Sequence, residues 1–198
     1  MGIVGIPSAA TRIDLYPHEF SGGQCQRVMI AMALAGQPDL LIADEPTTAL
    51  DATIQAQILD LLADLRRQTG MAMMFISHDL GAVSAVCDRV SVMYAGRIVE
   101  TNDVAALFGR PAHPYTRGLF DALPDLDADR SRLRPIHGTV PDPRNLPPGR
   151  AFAPRCTRAS DLCRDMVPEL KPQVQGGQAA CFHPIPAAVV RHSETEPA

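Results

Sequence analysis

The first hundred residues switch between two hydrophobic rhythms. Leu40-Leu41-Ile42-Ala43 is a continuous apolar run bounded by Pro38 and Pro46. It lacks polar alternation, which predicts a strand buried on both faces of a parallel sheet. From Asp51 the period changes, as Ile54, Ile58, Leu61, Leu62 and Leu65 recur at helical spacing. Asp51 supplies an N-cap and Gly70 a stop. A second strand follows over 72–77 with His78 at its C-terminal end, then a short helix over 80–86. Residues 89–94 and 97–101 form a hairpin turned by Ala95-Gly96. Upstream, Gly22 and Gly23 open a helical pattern over 24–35 in which Val28, Met32 and Ala35 share a stripe. Strands alternating with helices predict an α/β fold with a parallel sheet.

Proline marks a change of character. Four of the 18 prolines precede residue 110 and the rest follow it, crowding between Pro135 and Pro154. Proline neither donates to a ladder nor sits inside a helix, so an irregular extension is expected there. Beyond residue 185 the chain turns polar and loses periodicity, the pattern of a disordered tail.

Length and charge narrow the chemistry. At 198 residues and 46% hydrophobic, the chain can build one domain with a real core plus something smaller. The longest near-continuous apolar run, 71–76, is too short to cross a bilayer. A net charge of -4 argues against a nucleic-acid partner, leaving nucleotide as the expected phosphate ligand.

Successive strand side chains point to opposite sides, so Asp44 and Glu45, ending the apolar run, are set to serve different partners. One carboxylate on magnesium and another toward the attacking water is the division that phosphoryl transfer needs. Ser21-Gly22-Gly23-Gln24 sets a hydroxyl and unshielded amides at a helix N-terminus, where orphan N–H groups and the dipole attract phosphate. His78, on the same sheet edge as Glu45, is placed to hydrogen-bond a γ-phosphate. Taken singly these features are also an acidic turn, a glycine turn and a helix-start histidine. Their order and spacing favour a nucleotide site.

In that order and spacing, Ser21-Gly22-Gly23-Gln24, Leu40-Leu41-Ile42-Ala43-Asp44-Glu45-Pro46, Thr47-Thr48-Ala49-Leu50-Asp51 and Ser77-His78-Asp79 resemble the signature, Walker B, D-loop and H-loop of an ATP-binding cassette (ABC) ATPase. The resemblance implies a partial P-loop NTPase fold with ATP and Mg2+ as ligands. Ser21, Gly22, Gly23 and Gln24 would contact the γ-phosphate of ATP held by a partner subunit's lysine loop. Asp44 would act through magnesium, Glu45 as general base, Asp51 across a dimer interface and His78 as γ-phosphate switch.

Tyr16-Pro17-His18-Glu19, residues 93–100, His113-Pro114-Tyr115-Thr116-Arg117-Gly118-Leu119 and Phe152-Ala153-Pro154-Arg155-Cys156 resemble the dipeptide and oligopeptide importers, a group that includes nickel importers. This implies an ATPase part over 1–108, a transporter-type extension over 109–184 and a tail over 185–198. It also implies a homologous second ATPase, two membrane permeases and, indirectly, an extracytoplasmic binding protein, with the chain peripheral on the cytoplasmic face of the membrane. A non-transport ABC ATPase and a non-catalytic metal-binding remnant are the alternatives.

Five cysteines divide into two groups. Cys25 and Cys87 fall in the core pattern, where lone thiols are small apolar fillers. Cys156, Cys163 and Cys181 cluster in the proline-rich extension, where a metal site is expected ahead of a disulfide. Importer subunits of this kind have an additional cysteine where this chain has Arg150, and some are thought to bind an iron–sulfur cluster with four thiolates. Three thiolates remain, and His183 could complete a Cys₃His set that suits zinc. The other reading is that these thiols only pack the extension.

No G-x-x-x-x-G-K-[ST] sequence occurs in these residues. In the family that loop lies far upstream of the signature, so the chain is expected to be a truncated portion, inactive alone. An uncovered sheet edge and an exposed core face would follow.

Overall fold

The computed structural model describes residues 2–123, 135–174 and 176–186. The tail expected over 185–198 lies, from residue 187, outside the described residues. Two compact units divide the chain, Met1–Cys87 and Asp88–Ala198. The hairpin that the sequence reading grouped with residues 1–108 therefore belongs to the second unit.

In the first unit, a short helix α1 (Ala9–Arg12) precedes α2 (Gly22–Leu34), β1 (Leu40–Asp44), α3 (Ala52–Thr69), β2 (Ala72–Ile76) and α4 (Leu80–Val86). Strands β1 and β2 pair in parallel, Leu40 opposite Ala72 and Asp44 opposite Ile76, with α3 as the crossover. Helix α3 forms where predicted because its signals are local. The Asp51 side chain accepts from the Ile54 N–H, and Gly70 takes the left-handed conformation at φ 70°. Its apolar face carries the core: Ile58, Leu62 and Leu65 are at most 2% exposed and pack with Val4, Ile6, Ile30, Leu41 and Met71. Each such side chain contributes about 1.5–3 kcal/mol by burial.

Two expectations change here. The stripe on α2 is rotated, since Met32 is exposed while Ile30 is buried, flanked by half-buried Val28, Ala31 and Leu34. The turn carrying Val4 and Ile6 packs on that side, held by Arg27, whose Nη1 donates to the Val4 carbonyl at 2.6 Å. Strand β1, in turn, is buried on one face rather than both. Leu41 and Ala43 enter the core, whereas Leu40 is 49% and Ile42 59% exposed. Met74 and Ile76 share that exposed face across the register. Among the described residues this parallel sheet has two strands.

The second unit is built on an antiparallel sheet. Strands β3 (Arg89–Tyr94) and β4 (Arg97–Asp103) form the predicted hairpin, whose turn residues Ala95 and Gly96 have φ of 47° and 76°. Both are positive, as the tight hairpin turn with matching twist requires. Helices α5 (Val104–Gly109), α6 (Pro114–Asp121) and α7 (Asp161–Asp165) follow, with two-residue strands β5 (Lys171–Pro172) and β6 (Gln178–Ala179). The strand order is β3-β4-β6-β5. The stretch where prolines crowd is irregular as expected, with no helix or strand over described residues 135–152, and the short elements after it are held by distant pairing. The core of this unit gathers Val92, Tyr94, Val99, Leu107, Phe152 and Cys156. The Glu100 carboxylate is buried and accepts the backbone N–H groups of Ala112 and His113 at 2.6 and 2.9 Å. His113, also fully buried, caps α6 through Nδ1. Burial, with Arg150 nearby, pushes its pKa down to about 3.

Candidate active site

Strand β1 ends at Asp44, and Glu45 leaves it in the left-handed backbone region at φ 48°. That conformation is costly for a residue that carries a Cβ and is held by the surrounding bonds. The Glu45 N–H donates to the Ile76 carbonyl at 2.9 Å, and its own carbonyl accepts from the Thr48 N–H at 3.1 Å. The turn therefore aims Glu45 along the C-terminal edge of the sheet. There, Oε1 lies 2.9 Å from Nδ1 of His78, which follows β2, and Oε2 accepts from the Thr48 hydroxyl at 2.7 Å.

Both partners shift titration in the sense their contacts require. Hydrogen bonds from His78 and Thr48 hold the Glu45 carboxyl below its ordinary value, and the hydrogen bond to Glu45 raises His78 above its own. A pocket of about 180 Å³ opens here, lined among others by Glu45, Thr48, Gln55, Ser77, His78 and Asp79. Asp79 serves as N-cap of α4, accepting from the Gly81 and Ala82 N–H groups at 2.8 and 3.2 Å and from Gln55 Nε2 at 2.5 Å. Thr48, Gln55 and Asp79 did not stand out as site residues in the sequence. Thr48 is signalled only by the left-handed turn, which a sequence does not display.

The remaining candidates divide by location. Asp44 lies on the exposed face of β1 with Leu40 and Ile42. Asp51 caps α3 and is exposed. Ser21 and Gln24 close a reciprocal capping box at the start of α2: Ser21 Oγ accepts from the Gln24 N–H, and Gln24 Oε1 accepts from the Ser21 N–H. Gly23 meets α3 so closely that a Cβ would lie 2.6 Å from Ile54 Cγ2. Residues 21–24 do not line the Glu45 pocket. Asp44, next to Glu45 in sequence but not among the residues lining the pocket, offers the hard carboxylate oxygens that magnesium takes.

In the second unit, Cys156 and Cys163 are buried and Cys181 half-buried. The Arg150 guanidinium lies among them, with Nη1 3.5 Å from Cys181 Sγ. His183 Nε2 is engaged by the Ser160 hydroxyl at 2.8 Å, which also lies 3.7 Å from Cys163 Sγ. A set of thiols with a guanidinium among them does not fit an iron–sulfur cluster or a zinc ion, whose cations need that space and charge.

Residues 2–48 match the ABC transporter family model, and residues 99–163 match that of the oligopeptide/dipeptide transporter C-terminal region. The dipeptide transport ATP-binding protein DppD of Escherichia coli is 50% identical over 182 residues, covering 92% of this chain and 56% of its own length. The oligopeptide transport ATP-binding protein OppD of Salmonella typhimurium is 50% identical over 182 residues, 92% of this chain and 54% of its own length. A Brucella abortus relative named for peptide import as an ATP-binding protein is 56% identical over 177 residues, 89% and 53% respectively. The chain spans about half the length of these curated relatives. Together these matches put an ABC transporter region and an oligopeptide/dipeptide transporter C-terminal region in one chain.

Proposed function

We propose that this chain serves ATP hydrolysis in the ATP-binding subunit of a peptide importer. The observation that carries the reading is the Glu45–His78 contact of 2.9 Å at the C-terminal edge of two parallel strands. Glu45 is ionised at neutral pH and oriented through both carboxylate oxygens, so it can take a proton from an attacking water. His78 is held by that same carboxylate through Nδ1, and Nε2 would meet the γ-phosphate. Asp44 would hold magnesium, which when bound neutralises charge developing on the transferred phosphoryl group. Ser21, Gly22, Gly23 and Gln24 would serve a different nucleotide, one held by the lysine loop of a homologous second ATPase, with Asp51 at the junction. Glu45 and His78 would serve a nucleotide whose lysine loop is outside these 198 residues.

The match over 99–163 and the names of the relatives support di- or oligopeptides as cargo. Two permeases and an extracytoplasmic binding protein would complete the assembly, with this chain peripheral on the cytoplasmic side. Among the described residues, no helix is long and apolar enough to cross a membrane.

The test joins this chain to the upstream portion of the E. coli relative and measures ATP turnover. Glu45→Gln should lower turnover by about 10²–10⁴-fold, the range for removing a general base. Undiminished turnover in that variant would overturn the assignment. The isolated chain should hydrolyse ATP no faster than its own Glu45→Gln variant.

A further inference from the structure

The three thiols of the second unit enclose a side chain that cannot ligate a metal. Arg150 is 4% exposed, and its Nε and Nη2 have no hydrogen-bond partner among the described residues. Its Nη1 points at Cys181 Sγ, its carbon centre lies 5.5 Å from the Phe152 ring centroid, and its backbone N–H donates to the Cys163 carbonyl at 2.9 Å. Gly149 fixes that approach, because a Cβ there would fall 2.6 Å from the Cys163 carbonyl oxygen. Cys156 packs in the same core as Phe152, and Cys163 Sγ lies 3.7 Å from the Ser160 hydroxyl.

A buried guanidinium remains charged at any physiological pH and is stable only beside electron-rich partners. The sulfurs and the Phe152 face are those partners. We infer that the Arg150 guanidinium is the resident cation of this cluster, taking the place a metal would fill, so that Cys156, Cys163 and Cys181 form a metal-free thiol–guanidinium core. His183 reaches this core through the Ser160 hydroxyl and not as a ligand. Burial works against ionisation of Cys163, but hydrogen bonds from Ser160 and the charge of Arg150 outweigh it, leaving its pKa lowered. At Cys181, burial dominates over Arg150 and the thiol is pushed up.

The test uses the full chain, purified anaerobically, incubated with ferrous iron and sulfide or with zinc, and then desalted. Bound metal, acid-labile sulfide and visible absorption are measured. The wild-type chain should retain only substoichiometric metal. Arg150→Cys removes the cation and supplies a fourth thiol, and should retain about tenfold more iron or beyond. One iron–sulfur cluster or one zinc ion per wild-type chain overturns the inference without recourse to any variant. So does an Arg150→Cys chain that is folded by circular dichroism yet holds no more metal than wild type.

Discussion

Gly22 and Gly23 are equivalent in sequence but not in space. A Cβ on Gly22 would meet Leu50 Cδ2 at 3.7 Å, an ordinary contact, whereas one on Gly23 would lie 2.6 Å from Ile54 Cγ2. That methyl branches directly from the Ile54 Cβ, and a β-branched residue in a helix has one strongly preferred χ1, so a side-chain swing offers little relief. Overpacking of this kind costs about 1–3 kcal/mol. Alanine recovers roughly 0.5–1 kcal/mol of helix propensity over glycine. Gly23→Ala should therefore destabilise the chain by about 1–2 kcal/mol, while Gly22→Ala should be neutral to about 1 kcal/mol more stable than wild type. Urea unfolding measures both, and with slopes of about 1–3 kcal/mol per molar the first change lowers the midpoint by roughly 0.3–2 M. Adding Ile54→Ala removes the obstructing methyl, so the double-mutant cycle should show favourable coupling of at least about 1 kcal/mol. A Gly23→Ala chain more stable than wild type, or a cycle with no coupling, would refute the packing argument. Loss of activity in that variant could then be assigned to phosphate contact alone.

The Glu45–His78 pair sets a pH window. Because His78 is raised above its ordinary 6.5, its contribution is full below that value and disappears as pH rises through the shifted pKa. Because Glu45 is lowered below 4.5, its contribution is full above that value and disappears as pH falls through the shifted one. Imidazole NMR should place the His78 midpoint above 6.5 and return it toward 6.5 in Glu45→Gln; a wild-type midpoint at or below 6.5 contradicts the contact. Asp79→Ala removes the cap of α4 and the partner of Gln55, and should cost about 1–2 kcal/mol in the same urea assay. A loss smaller than about 0.5 kcal/mol would mean that the helix start is held by other bonds.

What could be foreseen from the chain followed the range of each interaction. Asp51, Gly70 and the turn at Ala95-Gly96 act on neighbours within four residues, and α3, α4 and the hairpin lie where their spacing places them. The exposure of Leu40 and Ile42 matches the exposed core face expected of a partial sheet, though the apolar run itself states only what a strand can bury and not what covers it. The left-handed Glu45 was hidden: nothing in an Asp-Glu-Pro sequence marks positive φ. Arg150 carried a signal, standing where importer subunits have cysteine, but only the fold shows its charge turned inward among the thiols. Glu100 and His113, both fully enclosed, depend on contacts between segments whose meeting no local pattern announces.

Strand β6 closes the second unit by pairing with β4, and it comes late in the chain. Asn102 Nδ2 donates to the Gly176 carbonyl at 3.2 Å across 74 residues, and the Ala180 N–H donates to the Val99 carbonyl at 2.8 Å. At roughly 5–20 residues per second, a ribosome needs about 4–15 s to make that intervening stretch. The first unit can fold while it is still being made, since its core residues all lie before Cys87. The β4 edge must wait, unpaired, until residues 178–180 have left the exit tunnel. Translation speed through the proline-rich stretch therefore sets how long that edge stays open to a wrong partner.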